Sequence, residues 1–313
     1  MGNTFFFRWE ISVIEFLQSH FVISNTMSQL LAFLGNEAVM ILFFGLFYWS
    51  LDKEAGKRIG AGMFIGILFP SIVKNIVMRR RPYMDNGNIF CKVEAVKGDL
   101  NDPLVQGFSF PSMHASDSII SFGRLTEQKN GFLKLIGVLL PLIIGISRLY
   151  LGVHYPTDVL AGWVIGIVSV TLGNILYDRI ADKKTVFSLI LIAGLPGWFF
   201  SKSNDFFSSY GIVLGLSLGF LFEKKHVGFS NTKNIIRIVL RPVLGLLVFS
   251  LLQILLKICV PESLAAGKFA THIIRTLRYS LSAFVTAGIY PMMFSVTDKL
   301  FYRREPSKPL HES

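Results

Sequence analysis

Uncharged, strongly apolar stretches alternate with short polar segments along most of the chain. The clear apolar stretches cover residues 38–51, 59–73, 135–147, 159–177, 186–201, 206–222, 242–256 and 279–297. Several are shorter than the roughly 20 residues that a membrane-spanning helix needs, but flanking Gly, Ser, Lys and Arg can extend them to the lipid headgroups. The pattern therefore predicts a series of membrane-spanning helices.

A weakly apolar segment that begins near Pro111 supplies a ninth predicted helix. The basic loops 52–58 and 124–134 can share one side of the membrane only if an even number of spans separates them. We therefore predict an all-α fold, a polytopic integral membrane bundle of about nine transmembrane helices.

Residues 1–35 are harder to assign. Residues 11–34 are long enough to span a membrane, but they contain Glu15, Gln18 and His20. We favour an N-terminal amphipathic helix that lies at the membrane interface, with a tenth span as the alternative. The predicted organisation is this N-terminal segment (1–35), a core (36–180) to which the motifs described below assign a catalytic function, and C-terminal transmembrane helices with a cytoplasmic tail (181–313).

Composition agrees with a membrane protein. Hydrophobic residues make up 52% of the 313 residues and charged residues 16%, against about 25% charged residues in soluble domains. The net charge of +11 would suggest nucleic acid in a soluble chain. Here most cations lie in every second loop between the predicted spans, and the positive-inside rule places those loops in the cytoplasm. We therefore expect membrane lipids as partners and no nucleic acid.

One group of cations breaks this alternation. The segment 74–97 holds six Lys and Arg residues on the predicted outer side. Lys74 and Arg81 are seven residues apart, which would place them on one helix face before Pro82 ends the helix. A stop-transfer cluster would explain Arg79, but it explains Lys74 less well because that residue adjoins the apolar run.

In the nine-span layout, two further polar segments lie on the same side of the membrane as this group of cations. In Pro111-Ser112-Met113-His114, Ser112 can cap a helix whose free N–H groups bind an anion. In the segment 147–158, His154 and Asp158 are four residues apart and share a helix face. Asp158 can accept from one imidazole nitrogen and leave the other free to attack, while Arg148 is a planar donor for an oxyanion. Each histidine taken alone could equally be a polar interface residue.

Together these segments have the form K-x6-R-P, P-S-x-H and S-R-x5-H-x3-D. The three motifs, in this order, resemble those of the type-2 phosphatidic-acid phosphatase superfamily, which includes bacterial lipid phosphatases, sphingosine-phosphate phosphatases and glucose-6-phosphatase. The resemblance covers about residues 38–177. Met113 stands where the family usually has Gly, which leaves the backbone N–H in place and predicts a tighter pocket.

The resemblance and the residue chemistry imply the same roles. His154 is the nucleophile that forms a phosphohistidine, Asp158 orients it, and His114 is the general acid and base. The phosphoryl oxygens would be bound by Lys74, Arg81, Ser112, Met113 and Arg148. Three cations can replace a metal, so we expect no cofactor and no metal.

The substrate is less well defined. A site at the membrane interface favours a lipid phosphate or diphosphate, such as undecaprenyl diphosphate, phosphatidate or a sphingoid phosphate. The alternatives are glucose-6-phosphatase-like hydrolysis of a soluble phosphate ester, and a non-catalytic phosphate-lipid binder or transporter, which would need no oriented nucleophile. His272, Arg275 and Arg278 either contact the lipid headgroup of the substrate or extend to surrounding headgroups.

The site is expected on the extracytoplasmic side. The chain has no Asn-x-Ser/Thr sequon and no retention signal at its C-terminus, which favours a bacterial inner membrane.

Overall fold

In the computed structural model, residues 2–21, 23–34, 37–92, 99–127, 129–261 and 267–294 are described. Within these ranges the chain is helical, with one isolated bridge between Asn3 and Arg79 outside the helices. The α-helices are α1 (Arg8–His20), α2 (Asn25–Leu34), α3 (Glu37–Gly45), α4 (Lys53–Val77), α5 (Pro82–Asp85), α6 (Pro103–Gln106), α7 (Met113–Phe122), α8 (Gly131–Tyr150), α9 (Pro156–Arg179), α10 (Lys183–Gly194), α11 (Gly197–Phe200), α12 (Asn204–His226), α13 (Ile235–Cys259) and α14 (Lys268–Phe284).

Six helical segments in the described part of the chain are long and apolar enough to cross a membrane. They are α4, α8, α9, the segment Lys183–Phe200, α12 and α13. A shorter apolar helix covers Val39–Leu51. The all-helical membrane architecture is confirmed, whereas the count of nine spans and the interfacial placement of the N-terminal helix stay predictions. The predicted tail, with Arg303 and Arg304, lies outside the described residues.

Helix α9 lies at the centre of the predicted core and packs closely on α7 and α4. Glycine makes this approach possible, because a Cβ at Gly162 would lie 2.4 Å from the carbonyl oxygen of Ser112 and one at Gly173 would lie 2.5 Å from the backbone nitrogen of Gly62. Gly162 and Gly166 both face the backbone at α7, which allows the two helices to approach closely.

Four local sequence signals set the helix ends at one end of the bundle. Helix α4 stops at Val77 because Met78 takes a left-handed conformation (φ 50°) and donates its N–H to the carbonyl of Lys74. Ser112 caps α7, accepting from the N–H of Ala115. Pro156 starts α9, and Asp158 accepts from the N–H of Tyr155.

The expectation that Lys74 and Arg81 share one helix face is wrong. The helix that carries Lys74 ends four residues before Arg81, which has an extended conformation (φ −76°, ψ 151°). The left-handed turn at Met78 breaks the helix earlier than Pro82 does. The two cations therefore come to the site from different local structures.

The opposite end of the bundle gathers the cation-rich loops. Lys53 at the start of α4 pairs with Glu223 at 2.8 Å, and Arg58 pairs with Asp178 at the end of α9. Arg241 of α13 donates to the carbonyl oxygens of Trp49 and Ser230. One end of the helix bundle thus carries the cation-rich loops, and the other end carries the three motifs.

Candidate active site

The three sequence motifs meet where α4 and α8 end and where α7 and α9 begin. Ser112 and Asp158 are joined directly, because the Ser112 N–H donates to the backbone carbonyl of Asp158 at 3.0 Å. The side chains of Lys74, Ser112, Arg148, His154 and Asp158 are all buried. The structure therefore brings the predicted segments into one site inside the protein.

Three cations surround His154. Arg81 is fixed by the carbonyl oxygens of Gln106, Gly107 and Val153, which accept from its guanidinium at 2.7, 3.0 and 3.3 Å. Lys74 and Arg148 reach the same place from the ends of α4 and α8, and the positive charges of all three act on the His154 ring. Such a cluster suits an anion with several oxygen atoms, which is the geometry of a phosphoryl group.

His154 lies in the short loop between α8 and α9 and is 1% exposed. Its Nδ1 atom is 3.5 Å from Oδ2 of Asp158, so the imidazole faces the carboxylate and its Nε2 atom remains to approach a phosphorus atom. Burial, followed by the charges of Arg81, Lys74 and Arg148, holds the pKa of His154 well below its usual range, while the backbone of Ser109 acts in the opposite direction. The ring is therefore neutral, as a nucleophile must be.

His114 is the second residue of α7 and is partly exposed, next to the buried Met113. It lies within electrostatic reach of Arg148, His154 and Lys74. Because Ser112 caps the helix, the first N–H groups of α7 point out of its N-terminus toward this region. The two histidines and a set of backbone donors thus belong to one site.

A buried ion-pair network behind Asp158 was missed by the sequence analysis. Arg79 donates to Oδ1 of Asp158 at 2.6 Å and to Oε2 of Glu10 at 2.8 Å. Both carboxylates have 0% exposure. An isolated Glu in a segment of mixed polarity gives no sequence signal for this role, and Arg79 is hidden in a run of three arginines.

The C-terminal helices also reach the site. Asp205 at the start of α12 places Oδ2 3.7 Å from Nζ of Lys74, and the side-chain oxygen of Asn75 accepts from the N–H groups of Lys202 and Ser203. Asp205 therefore contacts a buried cation of the site from a part of the chain outside the three motifs.

Helix α14 carries the three residues predicted to contact a headgroup. The His272 ring stacks on Phe207 of α12 with 3.7 Å between ring centroids, two residues from Asp205. Arg278 is buried and Arg275 is partly exposed. The structure thus brings α14 to the same end as Lys74, while a contact of His272, Arg275 or Arg278 with substrate stays a prediction.

Among the described residues, no group of three or more His, Cys, Asp or Glu side chains is arranged to hold a metal ion. The fold and the site define a helical membrane protein with a buried cationic site that contains an oriented histidine.

The chain belongs to the PAP2 superfamily. The family model of that name matches residues 55–181, and a second model, "PAP2 superfamily phosphatase, transmembrane extension", matches residues 207–301. Together they cover more than half of the chain. The first match contains all three motifs, and the second covers most of α12 and all of α13 and α14.

Three curated relatives illustrate the range of this family. An undecaprenyl-diphosphatase of Sulfolobus acidocaldarius is 27% identical over 45% of this chain and 66% of its own length. Sphingosine-1-phosphate phosphatase 1 of Mus musculus is 26% identical over 84% of this chain and 68% of its own. A lipid A 4'-phosphatase of Bacteroides thetaiotaomicron is 34% identical over 37% and 48%.

The chain thus matches about two thirds of the length of the first two relatives and about half of the third. No solved structure matches it. All three relatives are named as phosphatases, which supports a phosphate-ester hydrolase.

Proposed function

We propose that this protein is a metal-independent membrane phosphatase that hydrolyses a lipid phosphate or diphosphate through a phosphohistidine intermediate. The observation that carries the proposal is the placement of a buried, neutral His154 between the carboxylate of Asp158 and the three cations Lys74, Arg81 and Arg148. A protein that only binds phosphate needs the cations, but it has no use for a histidine held by a carboxylate.

In the first step, Nε2 of His154 attacks phosphorus and the bond between phosphorus and the leaving oxygen breaks. The leaving oxygen keeps the electron pair and takes a proton from the imidazolium form of His114, which becomes neutral. Asp158 stabilises the positive charge that develops on the His154 ring. Lys74, Arg81 and Arg148, together with Ser112 and the backbone N–H of Met113, neutralise the charge on the phosphoryl oxygens.

In the second step, His114 accepts a proton from a water molecule, and the oxygen of that water attacks the phosphorus of phosphohistidine. The bond between phosphorus and Nε2 breaks, inorganic phosphate leaves, and His154 returns to its neutral form. Charge neutralisation in both steps comes from side-chain cations, so the mechanism requires no metal ion.

The position of the site favours a lipid substrate. It lies at the end of helices that are long and apolar enough to cross a membrane, so a lipid can present its phosphate there while its chains stay in the bilayer. The relatives are named for undecaprenyl diphosphate, sphingosine 1-phosphate and lipid A, which supports this substrate class. We place the protein in a bacterial inner membrane, with the site on the extracytoplasmic side.

The direct test is phosphate release by the purified protein in detergent, with undecaprenyl diphosphate, phosphatidate, sphingosine 1-phosphate and glucose 6-phosphate as substrates. We expect release from at least one lipid and none from glucose 6-phosphate, with no loss of activity in EDTA. His154→Ala and His114→Ala should fold normally and release no phosphate. Full activity in either variant, or phosphate binding without release in the unaltered protein, would overturn the proposal.

A further inference from the structure

We propose that Glu10 in the N-terminal helix is a positioning residue for the reaction: with Arg79 it holds the Asp158 carboxylate in place behind His154. This inference rests on the proposed function for its chemistry, but the contacts that support it stand by themselves. They connect a segment outside the three motifs, and before the matched range 55–181, to the catalytic histidine.

The carboxylate of Glu10 is completely buried and accepts four hydrogen bonds. Oε2 accepts from the Phe7 N–H and from Arg79 at 2.8 Å each. Oε1 accepts from the hydroxyl of Thr157 at 2.6 Å and from its N–H at 3.2 Å. Burying a carboxylate costs several kcal/mol of free energy unless the carboxylate is paired and hydrogen-bonded. A helix that only had to be anchored at the interface would not require a buried carboxylate.

Arg79 connects Glu10 to the catalytic carboxylate. Its Nη1 atom donates to Oδ1 of Asp158 at 2.6 Å and to the Thr157 hydroxyl at 2.8 Å, and its Nε atom donates to the Phe5 carbonyl at 2.9 Å. The guanidinium also lies 3.9 Å from the centre of the Tyr155 ring. Because all three guanidinium nitrogens of Arg79 donate hydrogen bonds, the orientation of the guanidinium plane is fixed. The guanidinium in turn fixes the plane of the Asp158 carboxylate.

The backbone of the N-terminal segment strengthens this connection. Asn3 donates its N–H to the Met78 carbonyl and accepts from the Arg80 N–H, at 2.7 and 3.0 Å. These bonds lie on both sides of Arg79. Residues 3–10 therefore bind the extended stretch that carries Arg79 and also contact the first turn of α9.

The charge balance explains why Glu10 matters for chemistry. Arg79 shares its single positive charge between two carboxylates, so Asp158 keeps negative charge available for the His154 ring. Without Glu10, Arg79 would be neutralised by Asp158 alone, and that carboxylate would stabilise the imidazolium of the transition state less well.

Several charged or titratable groups face His154, Asp158, Lys74 or Arg79 from the surrounding elements. They are Lys74, Arg79 and Arg81 from α4 and the stretch after it, His114 and Asp117 from α7, Arg148 from α8, Asp158 from α9, Asp205 from α12 and Glu10 from α1. The substitution Glu10→Gln leaves all the other groups unchanged, so the difference between this variant and the unaltered protein reports on the Glu10 carboxylate.

The test compares Glu10→Gln with Glu15→Gln, a carboxylate on the same helix that contacts Asn88 and not the site. Residues that orient catalytic or metal-binding groups typically contribute about 10- to 100-fold. We expect kcat of Glu10→Gln to fall by that factor with KM nearly unchanged, and Glu15→Gln to match the unaltered protein. A kcat of Glu10→Gln equal to that of the unaltered protein would overturn the inference.

A second measurement does not depend on turnover. The titration of His154 is followed by NMR of 13C-labelled histidine in detergent micelles, with His154→Ala to assign the signal. Loss of the Glu10 charge should move the His154 titration to lower pH, whereas a purely structural role would leave it in place. If the unaltered protein releases no phosphate from any substrate, the proposed function fails, and this titration still decides the role of Glu10.

If Glu10→Gln does not fold, Thr157→Val replaces it, with Thr157→Ser as its control. Thr157→Val removes the hydroxyl that joins Glu10 and Arg79 but keeps both charges. We expect a lower kcat in Thr157→Val and recovery in Thr157→Ser. Equal kcat in both Thr157 variants would overturn the inference.

Discussion

At the scale of single residues, the two oxygen atoms of the Asp158 carboxylate have different partners. Oδ1 accepts from Arg79 at 2.6 Å, and Oδ2 accepts from the Tyr155 N–H at 2.8 Å and faces His154 at 3.5 Å. The motif spacing predicted that His154 and Asp158 lie close together, but the shared helix face it implied is wrong, because His154 lies in the loop before α9 and approaches Asp158 from outside the helix. It could not predict Arg79 and Glu10, since Glu10 meets its partners 69 and 147 residues further along the chain.

The burial of His154 predicts the pH dependence of the enzyme. The pKa of His154 is lowered by burial and by Arg81, Lys74 and Arg148, from an ordinary value of about 6.5. The ring attacks only when neutral, so kcat/KM should fall as the pH decreases through this lowered pKa, with a midpoint below about 6.5. A rate profile from acid to neutral pH measures it.

The control for this profile is Arg148→Gln. Removing one cation should move the acid midpoint upward toward the ordinary histidine value, with a lower maximal rate because the proposed mechanism also assigns Arg148 to binding of the phosphoryl group. A midpoint above about 6.5 in the unaltered protein would contradict the assignment of a neutral, buried nucleophile.

Met113 offers a separate test of the backbone donor at the start of α7. Met113→Gly keeps the N–H, and we expect it to keep kcat and to accept bulkier substrates. Met113→Pro likewise replaces the Met side chain but also removes the N–H, and it should be tolerated because proline suits the first position of a helix and Ser112 already has an extended conformation (φ −76°, ψ 109°).

Loss of one oxyanion donor typically lowers kcat by about 10²- to 10³-fold, which is the result expected for Met113→Pro. Phosphate release and thermal unfolding are measured on both variants. A Met113→Pro protein that folds and turns over at the normal rate would show that this N–H does not contact the phosphoryl group.

At the scale of elements, the sequence predicted the helices but not all of their ends. The apolar runs indicated α4, α8, α9, α12 and α13, since these runs are long and nearly free of charge. The break after Val77 depends on the left-handed Met78, for which no glycine or proline gave a signal. The contact between Asp205 and Lys74 joins two distant helices and likewise has no local pattern.

The packing of α9 on α7 predicts the effect of one added methyl group. In Gly162→Ala the new Cβ would lie 2.4 Å from the Ser112 carbonyl oxygen. Relieving this clash requires a shift of backbone atoms, which costs more free energy than moving a flexible side chain. We expect about 1–3 kcal/mol loss of stability and a lower turnover, because Ser112 is displaced. Thermal unfolding in detergent and phosphate release are the measurements.

Gly131→Ala is the matched control, because a Cβ at Gly131, the first residue of α8, meets nothing within 4 Å. It should unfold at the same temperature as the unaltered protein or slightly higher. Equal stability of Gly162→Ala and Gly131→Ala would contradict the close packing of α7 and α9.

At the scale of the whole molecule, the two ends of the bundle differ in what their cations do. At one end Lys53 and Arg58 pair with carboxylates between helices, as expected for loops that fix orientation. At the other end the cations converge on His154. The alternation of charged loops predicted the first of these ends from counts along the chain, whereas the cations of the second end break that alternation and were assigned to a site from the three motifs.

The proposed orientation can be tested with Cys259. This exposed thiol lies at the end of α13, about 37 Å from the start of that 25-residue helix at 1.5 Å per residue. The start of α13 belongs to the end with the cation-rich loops. A membrane-impermeant maleimide should therefore label Cys259 in intact cells, and Cys259→Ser should remove that signal in a Cys91→Ser background.

Lys184→Cys, at an exposed position on the opposite end, should react only after the cells are permeabilised. The reverse pattern, with Lys184→Cys labelled in intact cells and Cys259 protected, would place the active site on the cytoplasmic side and contradict the proposed localisation.

The contact between Glu10 and Thr157 also has a consequence for the order in which the molecule is built. The two residues are 147 positions apart, and at about 5–20 residues per second a ribosome needs about 7 to 30 s to pass from one to the other. During that interval the Glu10 carboxylate has no partner in α9 and has to stay near water at the membrane surface. The contacts between Glu10 and Thr157 can therefore form only after the start of α9 has been synthesised, so α1 reaches its final place later than its position in the chain would suggest.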